Sequence, residues 1–191
     1  SRGAIAMLPA IWILILAMAI RTVAKDLQAA HFLAALLGDV SPLWLPLVSF
    51  MIAGGVAFAT GTSWGTMAIL VPVCLPLTAE LAAGMPEAPL LLFLVGASVL
   101  DGAIFGDHCS LISDTTVMSS IATGCEHVEH VRTQIPYATL AMLVAAFSGY
   151  GLTALLGGQL FWVSYPVGVA LMLGWLWLRG TRTDTPGALG G

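Results

Sequence analysis

Residues 4–20, 135–156 and 160–178 contain no Asp, Glu, Lys or Arg. Uninterrupted apolar stretches of this length fit one setting best, because a bilayer core about 30 Å thick needs roughly 17–25 helical residues to cross it. Composition points the same way. Charged residues are 8% of the 191, where a soluble domain carries about 25%. The apolar share is 59%, with 21 Gly and 10 Pro interleaved in it, as is usual in transmembrane helices. A soluble globular enzyme, a disordered tail and a nucleic-acid binder are all excluded. Six Lys+Arg cannot neutralise a phosphate backbone. The net charge of −4 says little about partners beyond the lipid bilayer. Cys74, Cys109 and Cys125 are too few and too scattered for a disulfide framework and read as thiols. The chain opens at Ser1 rather than at methionine, which reads as processing or a fragment.

The expected fold is an all-α integral membrane protein, a polytopic helical bundle with broken helices or re-entrant hairpins. The run at 4–20 ends at Arg21, Lys25 and Asp26, and a semi-apolar stretch, 27–37, contains His31. A second run, 43–59, is interrupted at 61–66 and resumes over 67–83 with Pro72 and Pro76 inside it. After a loop at 84–89 comes a run at 89–105 that carries Asp101. Residues 106–116 are polar, 117–122 have helical character, and 124–132 are charged. The last two runs form a hairpin through Gly157, Gly158 and Gln159. Arg132 precedes this hairpin and Arg179 and Arg182 follow it, so the positive-inside rule puts both ends in the cytoplasm. Residues 1–178 are expected to form the membrane transport domain, and 179–191 a polar, disordered cytoplasmic tail. No internal repeat is visible. If the architecture rests on inverted halves, one half is present.

Two breaks interrupt the apolar pattern. Irregular backbone within a membrane is tolerated where protein buries it or water reaches it, and broken helices form the ion and substrate sites of secondary transporters. The first break, Gly61-Thr62-Ser63-Trp64-Gly65-Thr66, sets two glycines and three hydroxyls in an apolar stretch too long for one span. Freed carbonyls there would suit a cation, with Thr62, Ser63 and Thr66 adding hydroxyl oxygens. The other reading is a turn between two spans whose hydroxyls bond back to the backbone.

The second break holds Asp107, His108, Cys109, Ser110, Ser113, Asp114, Thr115 and Thr116. With Asp101 it places three carboxylates and an imidazole close together. An ionised group at bilayer depth costs at least about 2.5–3.5 kcal/mol, so such a cluster needs a reason. Hard cations take oxygen ligands, and a carboxylate that holds either a proton or a cation is the simplest exchanger. The alternative is an extramembrane loop with solvated charges.

Three other patterns occur in the sequence. Gly61-Thr62-Ser63-Trp64-Gly65 matches the G-x-S-x-G elbow, which requires an α/β sheet that this composition does not offer. Gly106-Asp107 resembles part of an intramembrane aspartyl protease pattern, but Ile104 stands where that pattern needs glycine. Asp101 and Asp107 would have to pair for that chemistry. Cys125, His127 and His130 have no standard zinc spacing and read as part of a solvated acidic loop. Glu80 reads as interfacial.

GTSWGT at 61–66, FGDHCSLISDTTVMSS at 105–120 and HVRTQIPYA at 130–138 together resemble the C-terminal half of the NhaC family of Na+/H+ antiporters. The resemblance covers about residues 4–178. Leu111 departs from it, since the family usually has proline there. The resemblance implies a multi-pass inner-membrane secondary transporter exchanging Na+ for H+, or coupling ions to small organic acids or amino acids. It also implies a missing N-terminal half that completes the site. On this basis Asp107 and Asp114 are the expected exchanging carboxylates and Na+ ligands. Thr62, Ser63, Thr66, Ser110, Ser113, Thr115 and Thr116 are expected as oxygen ligands or loop-shaping groups. His108 is a candidate for tuning the aspartates or sensing pH near neutrality, and Asp101 for a proton path. No cofactor is expected beyond the transported Na+ and H+. Gly102-x-x-x-Gly106 suggests close helix contacts, within one protomer or across a homodimer.

Overall fold

The computed structural model describes residues 41–179 without interruption, and residues 15, 19, 22, 23 and 26–28 before them. Most of the run at 4–20, together with Arg21, Lys25, His31 and the tail beyond Arg179, lies outside the described residues. Every regular element among the described residues is helical, as the apolar runs require.

A 3-10 turn, Pro42–Trp44, leads into α1, Leu45–Thr60. Pro46 sits in the first turn of α1, where its missing N–H costs nothing. Helix α1 ends at Gly61, whose φ of +68° forms a left-handed cap, its N–H donating to the Ala57 carbonyl. The next residue, Thr62, already caps α2, Ser63–Leu81, accepting the Gly65 N–H on its hydroxyl. Helix α3 is Ala88–Cys109, and α4 is the short Asp114–Thr123, capped by the Ser113 hydroxyl. Helix α5, His127–Val144, begins under the Glu126 carboxylate, a favourable charge at a helix N-terminus. It continues through a π-helical stretch, Ala145–Gly151, into α6, Leu152–Leu156. A 3-10 turn, Gly158–Val163, then leads to α7, Ser164–Arg179.

Among the described residues, five stretches are long and apolar enough to cross a membrane: Pro42–Thr60, Ser63–Leu81, Ala88–Cys109, His127–Leu156 and Phe161–Arg179. The expected hairpin of the last two runs is present. Large apolar side chains cover the outside, with Phe93 at 72% and Trp177 at 85% exposure. Such a surface needs lipid or further protein against it. The chain is a multi-pass membrane protein.

Both breaks are shorter than expected. The first is confined to Gly61 and Thr62, because a left-handed glycine cap and a threonine cap stand back to back. The second is confined to Ser110–Ser113, because α3 runs on through Asp107 to Cys109 and α4 starts at Asp114. Hydroxyls and glycines act here mainly as caps. They satisfy orphan backbone groups at once and allow helix to resume within a few residues.

Helices α1 and α2 fold back on each other. Ala53 and Ala57 of α1 share a core cluster with Met67, Leu70, Val71 and Cys74 of α2, and with Val99 and Ala103 of α3. The break at 61–66 is therefore the tip of a helical hairpin. Helix α3 lies along α1 at the glycines. A β-carbon on Gly102 would strike the Phe50 carbonyl oxygen, and one on Gly106 would strike the Gly54 carbonyl oxygen. The Gly102-x-x-x-Gly106 pattern thus serves a contact inside this chain, the close approach that small residues permit in membranes. Phe50, Ala146 and Tyr150 form a second cluster joining α1 to the π-helical stretch.

Candidate ion-binding site

The tip of the α1–α2 hairpin meets the α3–α4 break. A β-carbon on Gly61 would lie 2.7 Å from the Ile112 carbonyl oxygen, so the two irregular segments touch backbone to backbone. Asp107, on the last turn of α3, sits at this junction and is 3% exposed.

Two hydroxyls reach the Asp107 carboxylate. Ser63, the first residue of α2, donates from Oγ to Oδ2 at 3.3 Å. Thr115, in the first turn of α4, donates from Oγ1 to the same oxygen at 2.8 Å. Thr115 has one proton to give, so Ser113 is the donor in the 2.8 Å contact between the two hydroxyls. Ser113 in turn accepts the Thr116 N–H at 3.2 Å. A longer 3.5 Å contact joins the Thr116 hydroxyl to the Asp107 backbone carbonyl. The N-terminal ends of α2 and α4, which carry partial positive charge, thus both supply a side chain to one carboxylate. The other oxygen, Asp107 Oδ1, is buried and has no hydrogen-bond partner among the described residues. A buried acceptor left unpaired is costly, the more so on a charged group. A cation or a proton at Oδ1 relieves that cost.

The remaining expected residues divide into three groups. Thr62, Thr66 and Ser110 bond back to nearby backbone. Thr62 Oγ1 accepts the Gly65 N–H, Thr66 Oγ1 donates to the Thr62 carbonyl at 2.9 Å, and Ser110 Oγ accepts the Ile112 N–H at 3.4 Å. This is the turn-like behaviour that the sequence left open for the first break. Asp114 is exposed and accepts the Thr115 N–H at 2.8 Å. It does not join the Asp107 hydroxyls. His108 is also exposed, and lines a cavity of about 250 Å³ that contains Asp101. Asp101 is bonded elsewhere, by the Tyr150 hydroxyl at 2.6 Å. The two carboxylates thus have separate hydrogen-bond partners.

Two residues at or near the site were not singled out for it from sequence. His127 Nε2 donates to the Leu111 carbonyl at 2.8 Å, while Nδ1 meets the Ser120 hydroxyl at 3.1 Å. It pins the α3–α4 break at the position where the resembling family has proline. It stands in a charged, solvated-looking stretch that gave no such signal. Tyr150 lies inside an apolar run, where a phenol needs a partner when buried, and that need was its available signal.

A polytopic helical membrane domain whose buried carboxylate is clasped by two helix breaks has the build of a secondary-transporter domain. Comparison with known proteins makes the assignment specific. The model of the Na+/H+ antiporter family matches residues 1–155, and the chain belongs to that family. It is 39% identical over 142 residues to an uncharacterized protein of Haemophilus influenzae, covering 74% of this chain and 26% of that one. It is 32% identical over 117 residues to the malate-2H(+)/Na(+)-lactate antiporter of Bacillus subtilis, covering 61% and 22%. An uncharacterized Na(+)/H(+) antiporter of Haemophilus influenzae is 31% identical over 115 residues, covering 58% and 22%. The chain therefore spans about a quarter of the length of these relatives. No solved structure matches.

Proposed function

We propose that this chain is the C-terminal part of an NhaC-type antiporter that exchanges Na+ for H+ across the cytoplasmic membrane. The observation that carries the proposal is Asp107, a buried carboxylate with two hydroxyl donors on Oδ2 and, among the described residues, no partner on Oδ1. Oδ1 can take either a proton or a Na+, and alternation between the two is an exchange step. Ser63, Thr115 and Ser113 hold the carboxylate in place for that alternation. Asp114, exposed and outside the hydroxyl cluster, is the second carboxylate offered to the cation. The N-terminal half of such a transporter is the natural partner for the exposed face that carries Asp114.

The test is a pH-dye assay on inverted vesicles carrying the complete transporter, with Na+ added after respiration has built a proton gradient. Collapse of the gradient by Na+ alone, lost in Asp107→Asn, is the expected result. No response to Na+ alone overturns the proposal.

A second reading couples the ion to an organic acid. It is favoured by the similarity to a relative named as a malate and lactate antiporter, and by the two helix N-termini at the site, which suit a carboxylate ligand. A gradient response that needs added malate, lactate or an amino acid selects this reading over the first.

A further inference from the structure

We infer that Asp101, held by Tyr150, is a protonation site distinct from the Asp107 cluster and serves the proton half of exchange. This inference rests on the exchange reading above and extends it to a second place in the fold.

Asp101 lies inside the α3 span, where a carboxylate is costly and is retained for a reason. The Tyr150 hydroxyl donates to its Oδ2 at 2.6 Å, across 49 residues of sequence. Tyr150 is itself fixed, 8% exposed and with its ring centroid 5.2 Å from that of Phe50. It belongs to the π-helical stretch Ala145–Gly151, a rare backbone form that is frequent at functional positions. No proline requires the π form here, since none occurs in that stretch.

Asp101 also stands between two cavities. One, of about 310 Å³, is lined by hydroxyls of Ser148, Thr153 and Ser164 and by Tyr165. The other, of about 250 Å³, holds His108. Asp101 is the titratable residue common to both. The other titratable groups that line them are Tyr150, Tyr165 and His108. Helix α1 carries none, and Cys74 and Glu80 of α2 line neither cavity. Asp101 and His108 are two turns apart on one face of α3, roughly 10 Å along the axis, and His108 adjoins Asp107.

The chemistry balances with one proton. The Asp101 carboxylate takes a proton from solvent on one side and becomes a carboxylic acid. It then releases that proton to solvent on the other side. Tyr150 keeps its own proton and orients the carboxylate. Asp107 lies roughly 9 Å along the helix from Asp101. A cation on Asp107 and a proton on Asp101 are thus coupled by charge across that distance, beside their competition at Asp107 Oδ1.

Two transport modes separate this site from the cation cluster. Na+/H+ antiport requires both sites, whereas exchange of labelled Na+ for unlabelled Na+ at equal pH requires the cation cluster alone. In proteoliposomes of the complete transporter, Asp101→Asn is expected to lower antiport at least tenfold and to keep Na+/Na+ exchange within about twofold of the parent. Tyr150→Phe, which keeps the ring against Phe50, is expected to lower antiport several-fold and leave Na+/Na+ exchange intact. Unchanged antiport in Asp101→Asn overturns the inference, as does equal loss of both modes in a variant that elutes normally on size exclusion. Unchanged antiport in Tyr150→Phe, or equal loss of both modes, overturns the role given to the tyrosine. Those results leave the exchange reading standing if Asp107→Asn still abolishes both modes. A parent protein without Na+-driven proton movement removes both proposals together.

Discussion

Gly61 and Ile112 meet backbone to backbone: a β-carbon on Gly61 would lie 2.7 Å from the Ile112 carbonyl oxygen. This contact seats the tip of one helical hairpin on the break of another. It sets where Ser63 and Thr115 stand relative to Asp107.

Gly61→Ala is therefore expected to damage the site and the fold together. Its φ of +68° disfavours any L-residue, by about 1–2 kcal/mol, and the new methyl collides with a carbonyl rather than a flexible side chain. We expect the melting temperature in detergent to fall by about 5 °C or more. Gly55→Ala, where nothing lies within 4 Å of the added carbon, is the matched control and should change little.

Ser63→Ala and Thr115→Val each remove one donor from Asp107 Oδ2. The Thr115 bond is the shorter, so Thr115→Val is expected to have the larger effect, raising the Na+ concentration for half-maximal response by about tenfold, or about 1.4 kcal/mol. Thr115→Ser keeps the hydroxyl and should recover most of it. Dose–response curves in the vesicle assay decide this, and equal effects of Val and Ser at 115 count against the hydrogen bond as the cause.

Asp114 is the informative contrast to Asp107. Its carboxylate is exposed, and its one hydrogen bond among the described residues is with the adjoining Thr115 N–H. We expect Asp114→Asn to leave the melting temperature within about 2 °C, since a charge at an exposed helix N-terminus contributes about 0.3–1 kcal/mol. Transport loss at intact stability then assigns Asp114 a direct part in transport. A large drop in melting temperature would show instead that it is needed for the fold.

His127 tethers the Leu111 carbonyl from the next helix. His127→Ala is expected to loosen the α3–α4 break and lower exchange several-fold. Leu111→Pro, by stiffening the same loop, should offset part of that loss, because proline lacks an N–H but keeps the carbonyl. Hydrogen exchange over 110–116 gives the direct readout, with faster exchange in His127→Ala as the expected sign.

The sequence by itself determined the class of fold and the location of the polar chemistry. Apolar runs of bilayer length require spanning helices, and hydroxyls, glycines and carboxylates at 61–66 and 106–116 stand out against them. Gly102 and Gly106 were legible as a close helix contact for the same local reason. Tertiary structure decided which of these groups meet. Asp107 and Asp114 look alike in sequence, yet one is buried at the end of α3 and the other is exposed at the start of α4. That difference arises because the capping residues let helix resume almost at once, fixing each side chain's direction by helix geometry. Ser63 finds Asp107 across 44 residues, and Tyr150 finds Asp101 across 49. Such pairings depend on how helices pack in three dimensions, and no local spacing encodes them.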